Sequence, residues 1–340
     1  MNVAIVWDQA INVNSYYVKD KVGYSFKDNK PYTYHHTISK ECYSNTHNWN
    51  FLWDNGYFLN LSEWETFGPN RNLPDLDLDV IFYACERSGL FDDKNKSEKF
   101  QVSVLRDKYP KAKIVGYLKE VYVSSDEKFK NRIKFLKECD FIHAEAASSM
   151  KKLPEFLKVE KLVGKKLNFS NQPLNIDYYF NNLYSNEKNN SIWAYLPLPM
   201  ERRGQTYDFA KRMGEKYNMP VLFKPLSPGQ SFDYLGQRDF VNMWKDSLYH
   251  FNLDPRQYHP GGQVIQVASV GSLNIGGCNE SHDILYPNTS TCDEKILEEK
   301  FDEYVNSPEK VIKDIQYAWD KLNETYSFSV VRKQLEDLYG

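Results

Sequence analysis

Short apolar runs separated by longer mixed stretches set the rhythm of this chain. The first, Val3–Trp7, is five residues long, ends against Asp8, and reads as a buried first strand. Similar runs recur at 78–83, 114–118 and 141–143. Between them, 91–109 reads as a charged surface helix. The stretch 126–139 reads as an amphipathic helix with Phe129, Ile133 and Leu136 near one face. Residues 148–157 are expected to form a short helix. The alternation of strand and helix predicts α/β layering. Residues 11–75 break the rhythm. They are rich in Asn, Tyr, His and Trp, and NWNFLWDNGYFLNLSEW suits either a helix or a loop packed by aromatics.

The rhythm breaks again at 172–180, QPLNIDYYF, where Pro173 interrupts local structure and the polar run 181–190 follows. This gives an expected division into an N-terminal domain (1–180), a linker (181–190) and a C-terminal domain (191–340) with terminal helices. The second domain is expected to open with a strand at 192–196. Thr206 then caps a helix carrying Tyr207, Ala210, Met213, Gly214 and Tyr217. A strand at 221–223, a helix at 240–248 and a strand at 249–253 complete its first half. The segment 261–277, GGQVIQVASVGSLNIGG, joins two glycines, a helix with an apolar stripe, a glycine turn and a strand ending in Gly276-Gly277. Such a segment brings backbone N–H groups against an anion at a helix start. It lacks the P-loop lysine, and the GxGxxG pattern is absent. Further on, 285–287 reads as a loop, and 293–305 as a helix with Ile296, Leu297, Phe301, Tyr304 and Val305 on one face. A last stripe, Ile312, Ile315, Trp319, Leu322 and Tyr326, follows Ser307-Pro308 and reads as packing.

A chain of 340 residues is long enough for two domains, and 41% hydrophobic residues suit a folded core. The 25 Tyr, 20 Phe and 7 Trp permit stacking on sugars or bases. A net charge of -3 argues against a globally basic nucleic-acid surface and leaves room for a local patch. The N-terminal residues have no signal-peptide pattern, and no stretch approaches a transmembrane span. Five scattered cysteines, Cys42, Cys85, Cys139, Cys278 and Cys292, form no metal-binding spacing and suit reduced thiols in a cytoplasmic protein. No histidine–cysteine cluster has metal spacing. Asp75, Asp77 and Asp79 precede a strand rather than end one, as a metal-binding DxD site would require.

The layout resembles the GT-B glycosyltransferases, in which two Rossmann-like domains face a central cleft. Pro173, Asn175, Ile176, Asp177 and Phe180 resemble the end of the N-terminal domain in the large retaining family. Arg203-Gly204 resembles its glycine and helix after the first strand of the second domain. Residues 266–271, QVASVG, match the shape of its E-A-M-A-x-G donor motif, with Gln266 where that family has an acid and Tyr258 where an earlier acid would fall. The family acid binds the ribose hydroxyls, and an amide can still bond a diol. A divergent phage or bacterial branch would accommodate the change.

The resemblance implies sugar transfer from a nucleotide-diphosphate donor to a hydroxyl on a glycan, a small molecule or a modified DNA base. The donor is a substrate; neither a tightly bound cofactor nor a metal is expected. Charge developing on the diphosphate needs cations and amides. Arg203 and Lys224, which follow the first two strands of the second domain, are the expected diphosphate contacts. Gly261, Gly262 and Gln263 are the expected amide or close-approach positions, and Gln266 the ribose contact. On the acceptor side, Glu86 and Glu120 follow strands and are candidate bases, and Asp8 a candidate acceptor-orienting residue. His143 also follows a strand and reads first as a core histidine. A sugar-nucleotide epimerase and a non-catalytic carbohydrate- or nucleotide-binding protein are the alternatives.

Overall fold

Among the described residues, two all-parallel sheets carry the fold, one in each of two units. The computed structural model describes residues 1–7, 24–25, 30–31, 49, 52–53, 56–60, 73, 75–84, 101–118, 127–146, 151–195, 203–223, 241–255 and 262–340. Unit 1 comprises Met1–Pro173 and Phe328–Gly340; unit 2 is Leu174–Ser327.

Among the described residues, the sheet of unit 1 contains β1 (Val3–Trp7), β4 (Tyr57–Asn60), β5 (Val80–Ala84), β6 (Lys113–Leu118), β7 (Phe141–Glu145) and β8 (Leu167–Ser170), in the order β4-β1-β5-β6-β7-β8. A separate two-stranded ribbon pairs β2 (Tyr24–Ser25) with β3 (Lys30–Pro31). The helices α1 (Val102–Lys108), α2 (Glu127–Glu138) and α3 (Pro154–Val163) connect β5 to β8. The strands are continuous apolar runs because both faces of a parallel sheet are covered: Val80, Ile81, Phe82 and Tyr83 are all buried. β4 lies within the aromatic stretch read as a helix or a loop, and pairs Ala4 with Tyr57. The short helix expected at 148–157 instead occupies α3, with Pro154 in its first turn, where proline's missing N–H has no helical acceptor to lose.

The division falls after Pro173, ahead of the expected linker at 181–190. Residues read as a break form α4 (Ile176–Asn182), capped by Asn175, whose side chain accepts from the Tyr178 N–H. Ile176, Tyr178 and Tyr179 bury its inner face, which makes it part of unit 2. The terminal helix, α10 (Phe328–Tyr339), returns to unit 1 and places Val331, Leu335 and Tyr339 in a core with Val3, Ile5, Phe82 and Tyr117. The expected assignment of the whole C-terminal stretch to the second domain is therefore corrected. Three fully buried side chains at roughly 1.5–3 kcal/mol each hold α10 where it is.

Unit 2 holds a four-stranded parallel sheet, in the order β10 (Val221–Leu222), β9 (Asn189–Ala194), β11 (Ser247–Phe251), β12 (Leu273–Ile275). Its helices after α4 are α5 (Arg203–Tyr217), α6 (Gly262–Ser269), α7 (Glu280–Leu285), α8 (Glu294–Asn306) and α9 (Pro308–Tyr326). The helix expected over 240–248 gives way to β11 from Ser247. Ser247 accepts from Ser191 Oγ at 3.1 Å, and its carbonyl accepts from Ser272 Oγ at 2.8 Å, which ties it between neighbouring strands. The stripe on α9 is rotated from its expected phase. Val311, Ala318, Leu322 and Tyr326 are buried, while Ile312 is 69% exposed.

Candidate functional site

The site is assembled where β11 ends. Asn252, Leu253 and Asp254 follow that strand, and all are buried. Asn252 is anchored by its own backbone N–H, which donates to the Ile275 carbonyl of β12 at 2.9 Å. Its side-chain Nδ2 donates to Gln263 Oε1 at 3.1 Å, in the first turn of α6. The next residue, Leu253, donates its backbone N–H to Thr206 Oγ1 at 3.1 Å, in the first turn of α5. Thr206 is thus not the cap expected from sequence. α5 begins at Arg203, and the hydroxyl reaches across to the strand end instead.

Two consecutive residues therefore pin two helix N-terminal turns to one edge of the sheet. Each N-terminus carries roughly half a positive charge in unpaired N–H groups, so the pair forms an anion-attracting edge. Asn252 Oδ1 and Gln263 Nε2 are buried here with no hydrogen-bond partner among the described residues. A buried unpaired amide group costs about 1–3 kcal/mol, which a bound polar ligand can offset.

Gly276 and Gly277 close the neighbouring strand with φ of 95° and 94°, in the left-handed region. A Cβ on Gly276 would lie 2.9 Å from the Asn252 carbonyl oxygen; one on Gly277 would lie 2.2 Å from His282 Nε2. Asn274 Nδ2 donates to the Gly276 carbonyl at 2.8 Å, and Thr289 Oγ1 to the Asn274 carbonyl at 2.7 Å. Glycine at both positions lets β12 turn tightly beside Asn252.

Gly262 and Gln263 open α6, as the sequence suggests. Gln266 is buried, and its side chain bonds the Tyr179 hydroxyl of α4. Burial pushes the Tyr179 phenol up, and the Gln266 bond pulls it partly back. Arg203 is the first residue of α5; its side chain lies outside the described residues, as do Lys224, Gly261, Asp8, Glu86, Glu120 and Tyr258. The strands that Asp8, Glu86 and Glu120 follow, β1, β5 and β6, are consecutive neighbours in the sheet. Chain connections leave β1 and β5 in opposite directions, toward β4 and β6, which makes their ends the switch point of the sheet.

Sequence reasoning missed Asn252 and Glu145. A polar residue directly after an apolar strand, as in FNLD, was the available signal for Asn252. Glu145 ends β7, fully buried, with Oε2 accepting from Trp49 Nε1 at 3.1 Å. Burial raises its carboxyl to about 8, against the weaker lowering effect of the indole bond. The unfolded chain releases this proton near pH 4.5, the folded chain near 8, so stability falls as pH rises through that window. Glu145→Gln keeps the shape and removes the titration. It is expected to flatten the decline and to exceed the parent at pH 8 by on the order of 3 kcal/mol in urea melts. An unchanged pH slope would show that Glu145 is ionised in the fold.

His143 is a core residue. Its ring nitrogens lie 2.9 Å from Tyr339 Oη and 2.9 Å from Ser170 Oγ, and burial lowers its pKa to about 3, so it is neutral. Asp79 Oδ2 accepts from the Asn2 backbone N–H at 2.6 Å, and Asp75 pairs with Lys108. Among the described residues no group of three or more His, Cys, Asp or Glu is placed to hold a metal ion. No helix among them is long and apolar enough to cross a membrane.

Unit 1 also carries a basic face. Residues 127–166 hold eleven lysines and arginines against six acids, in a chain of net charge -3. On α2, Lys130, Lys134 and Lys137 are exposed along one stripe about 10 Å long; on the adjoining α3, Lys158 and Lys161 are exposed. Among the described residues, Lys134, Lys137, Lys158 and Lys161 take part in no ion pair.

No protein-family model matches the sequence, and no curated protein sequence is similar to it. Solved structures do match. An alpha-glucosyltransferase in complex with UDP-glucose and DNA containing an abasic site aligns over 100% of this chain and 99% of its own, with a TM-score of 0.57 at 11% identity. An alpha-glucosyltransferase in complex with UDP and a 13-mer DNA containing a HMU base gives a TM-score of 0.58 at 10% identity over 100% of this chain and 99% of its own. Anabaena HepE, in complex with UDP and glucose, aligns over 99% of this chain and 98% of its own, with a TM-score of 0.56 at 7% identity. The fold is GT-B. The expectation of two Rossmann-like α/β domains holds.

Proposed function

We propose that this chain is a nucleotide-sugar-dependent glycosyltransferase whose donor diphosphate sits at the β11 edge of unit 2. The observation that carries this reading is the pinning of the α5 and α6 N-termini to Asn252 and Leu253, with Asn252 Oδ1 and Gln263 Nε2 left unpaired. UDP and UDP-glucose, as bound in the similar structures, are the first donors to test. In the reaction, the bond from the sugar's anomeric carbon to the diphosphate oxygen breaks, and the acceptor oxygen bonds to that carbon. The acceptor proton passes to a base, for which Asp8, Glu86 and Glu120 are the candidates. Negative charge gathering on the leaving diphosphate is met by the two helix N-termini, with Arg203 and Lys224 as the added cations. Gly261 and Gly262 let the backbone approach the phosphates. The bond from Gln266 to Tyr179 supports a packing role for that residue, so Gln263 and Asn252 become the proposed polar contacts to the donor.

The acceptor reading follows from charge. A neutral glycan gains little from the lysine face of α2 and α3, whereas a hydroxylated base within DNA brings phosphates to it. The test is a donor screen scoring nucleotide release, then transfer of labelled sugar onto hydroxymethylated duplex. Transfer to DNA supports the reading; interconversion of two sugar nucleotides marks an epimerase; UDP binding without turnover marks a binding protein. Reversing Lys134, Lys158 and Lys161 to glutamate is expected to weaken duplex binding at least tenfold at 50 mM salt. It should also flatten the salt dependence and leave UDP affinity unchanged. Unaltered DNA affinity would remove this face from the interaction.

A further inference from the structure

Cys278 and Cys292 are 14 residues apart in sequence, and their Sγ atoms lie 3.5 Å apart, in contact and unbonded. Both side chains are half-buried, so a small oxidant can reach them, whereas Cys139 is buried. Each sulfur is held in place. Cys278 Sγ faces the Asp254 carbonyl at 3.5 Å, and Cys292 Sγ accepts from the Gly277 backbone N–H. The carbonyl of Cys292 accepts from Gln205 Nε2 at 3.1 Å. The two thiols are thus positioned by backbone on either side of α7, at the end of β12 and just before Asp293, the cap of α8. Closing the remaining gap to a bond of about 2 Å needs a shift of roughly 1.5 Å, within what such loop positions allow.

We propose that Cys278 and Cys292 form an oxidisable dithiol, a modification site that closes to a disulfide by exchange with a low-molecular-weight disulfide such as oxidised glutathione. The inference stands independently of donor binding. The thiolate of one of the two cysteines attacks one glutathione sulfur, and one glutathione thiolate leaves. The other thiol then loses its proton to solvent and its sulfur attacks the protein sulfur of the mixed disulfide, releasing the second glutathione. One protein disulfide forms and one glutathione disulfide is reduced to two thiols.

The test equilibrates the full chain with mixtures of reduced and oxidised glutathione and maps the peptides by mass. The expected product has lost about 2 Da and carries a Cys278–Cys292 link without retained glutathione. Each single variant, Cys292→Ser and Cys278→Ser, is expected to trap glutathione on the cysteine that remains. Stable glutathione adducts on the unmutated pair, a preferred link from either cysteine to Cys42 or Cys85, or no link in excess oxidised glutathione would each overturn the proposal. The map of the unmutated chain decides the link even if a variant fails to fold.

Discussion

Gly277→Ala is expected to destabilise unit 2 by about 2–5 kcal/mol and to abolish measurable UDP binding. Two costs combine. A side chain at φ 94° carries roughly 1–2 kcal/mol of backbone strain. The new Cβ would also lie 2.2 Å from a ring nitrogen of His282, which is buried and bonded through Nδ1 to Asn279 Oδ1 at 2.8 Å. A ring held at one nitrogen has little room to move aside, and overpacking of this kind adds about 1–3 kcal/mol. Any relief through the backbone shifts Gly276, which lies against the Asn252 carbonyl, and so disturbs the proposed donor contact. Gly164→Ala is the matched control. Its φ is 77°, but nothing lies within 4 Å of an added Cβ, so only the strain term applies. Urea unfolding of both variants checks the difference; equal losses would mean that the His282 contact relaxes freely.

Asn252→Leu should separate binding from folding. The side chain is 5% exposed, and its Oδ1 has no partner among the described residues, so the carboxamide gains little from the unliganded fold. Leucine of similar volume removes the desolvation penalty of Oδ1 and loses one bond, to Gln263. Stability is therefore expected to change by less than about 1 kcal/mol. UDP affinity, in contrast, is expected to fall by about 10- to 100-fold, the worth of a hydrogen bond to a charged group. Titration calorimetry with UDP and thermal melts of the same samples give both numbers. A variant that binds UDP normally would place the donor elsewhere.

The parts of this fold most legible in the sequence were those whose stability is local or fully buried. β1, β6, α2, α6 and β12 are continuous apolar runs or clean helical stripes, and each lies within a residue or two of its expected place. What escaped depended on distant partners. β8, with its LNFS pattern, offers little apolar periodicity and is held by pairing with β7. The 176–182 segment follows a proline and precedes a polar run, yet its buried face and Asn175 cap make it helical. Thr206 has the chemistry of a cap, but its hydroxyl faces the end of β11, which no local pattern records. The site divides the same way. The glycine pair and the start of α6 were readable, because left-handed turns demand glycine. The roles of Asn252 and Gln266 were not, since each is set by a residue on another element: Gln263 for one, Tyr179 for the other.

The return of α10 to unit 1 has a consequence for biosynthesis. Unit 2, residues 174–327, is uninterrupted in the chain and emerges from the ribosome whole before α10 does. Unit 1 begins to emerge first but lacks Val331, Leu335 and Tyr339 until residues 328–340 have been made, so Val3, Phe82 and Tyr117 go without those three partners until then. Completion therefore runs against chain order, with unit 2 closing before unit 1 is sealed. A nascent chain stalled before residue 328 would present the open core of unit 1 to chaperones while unit 2 is already folded.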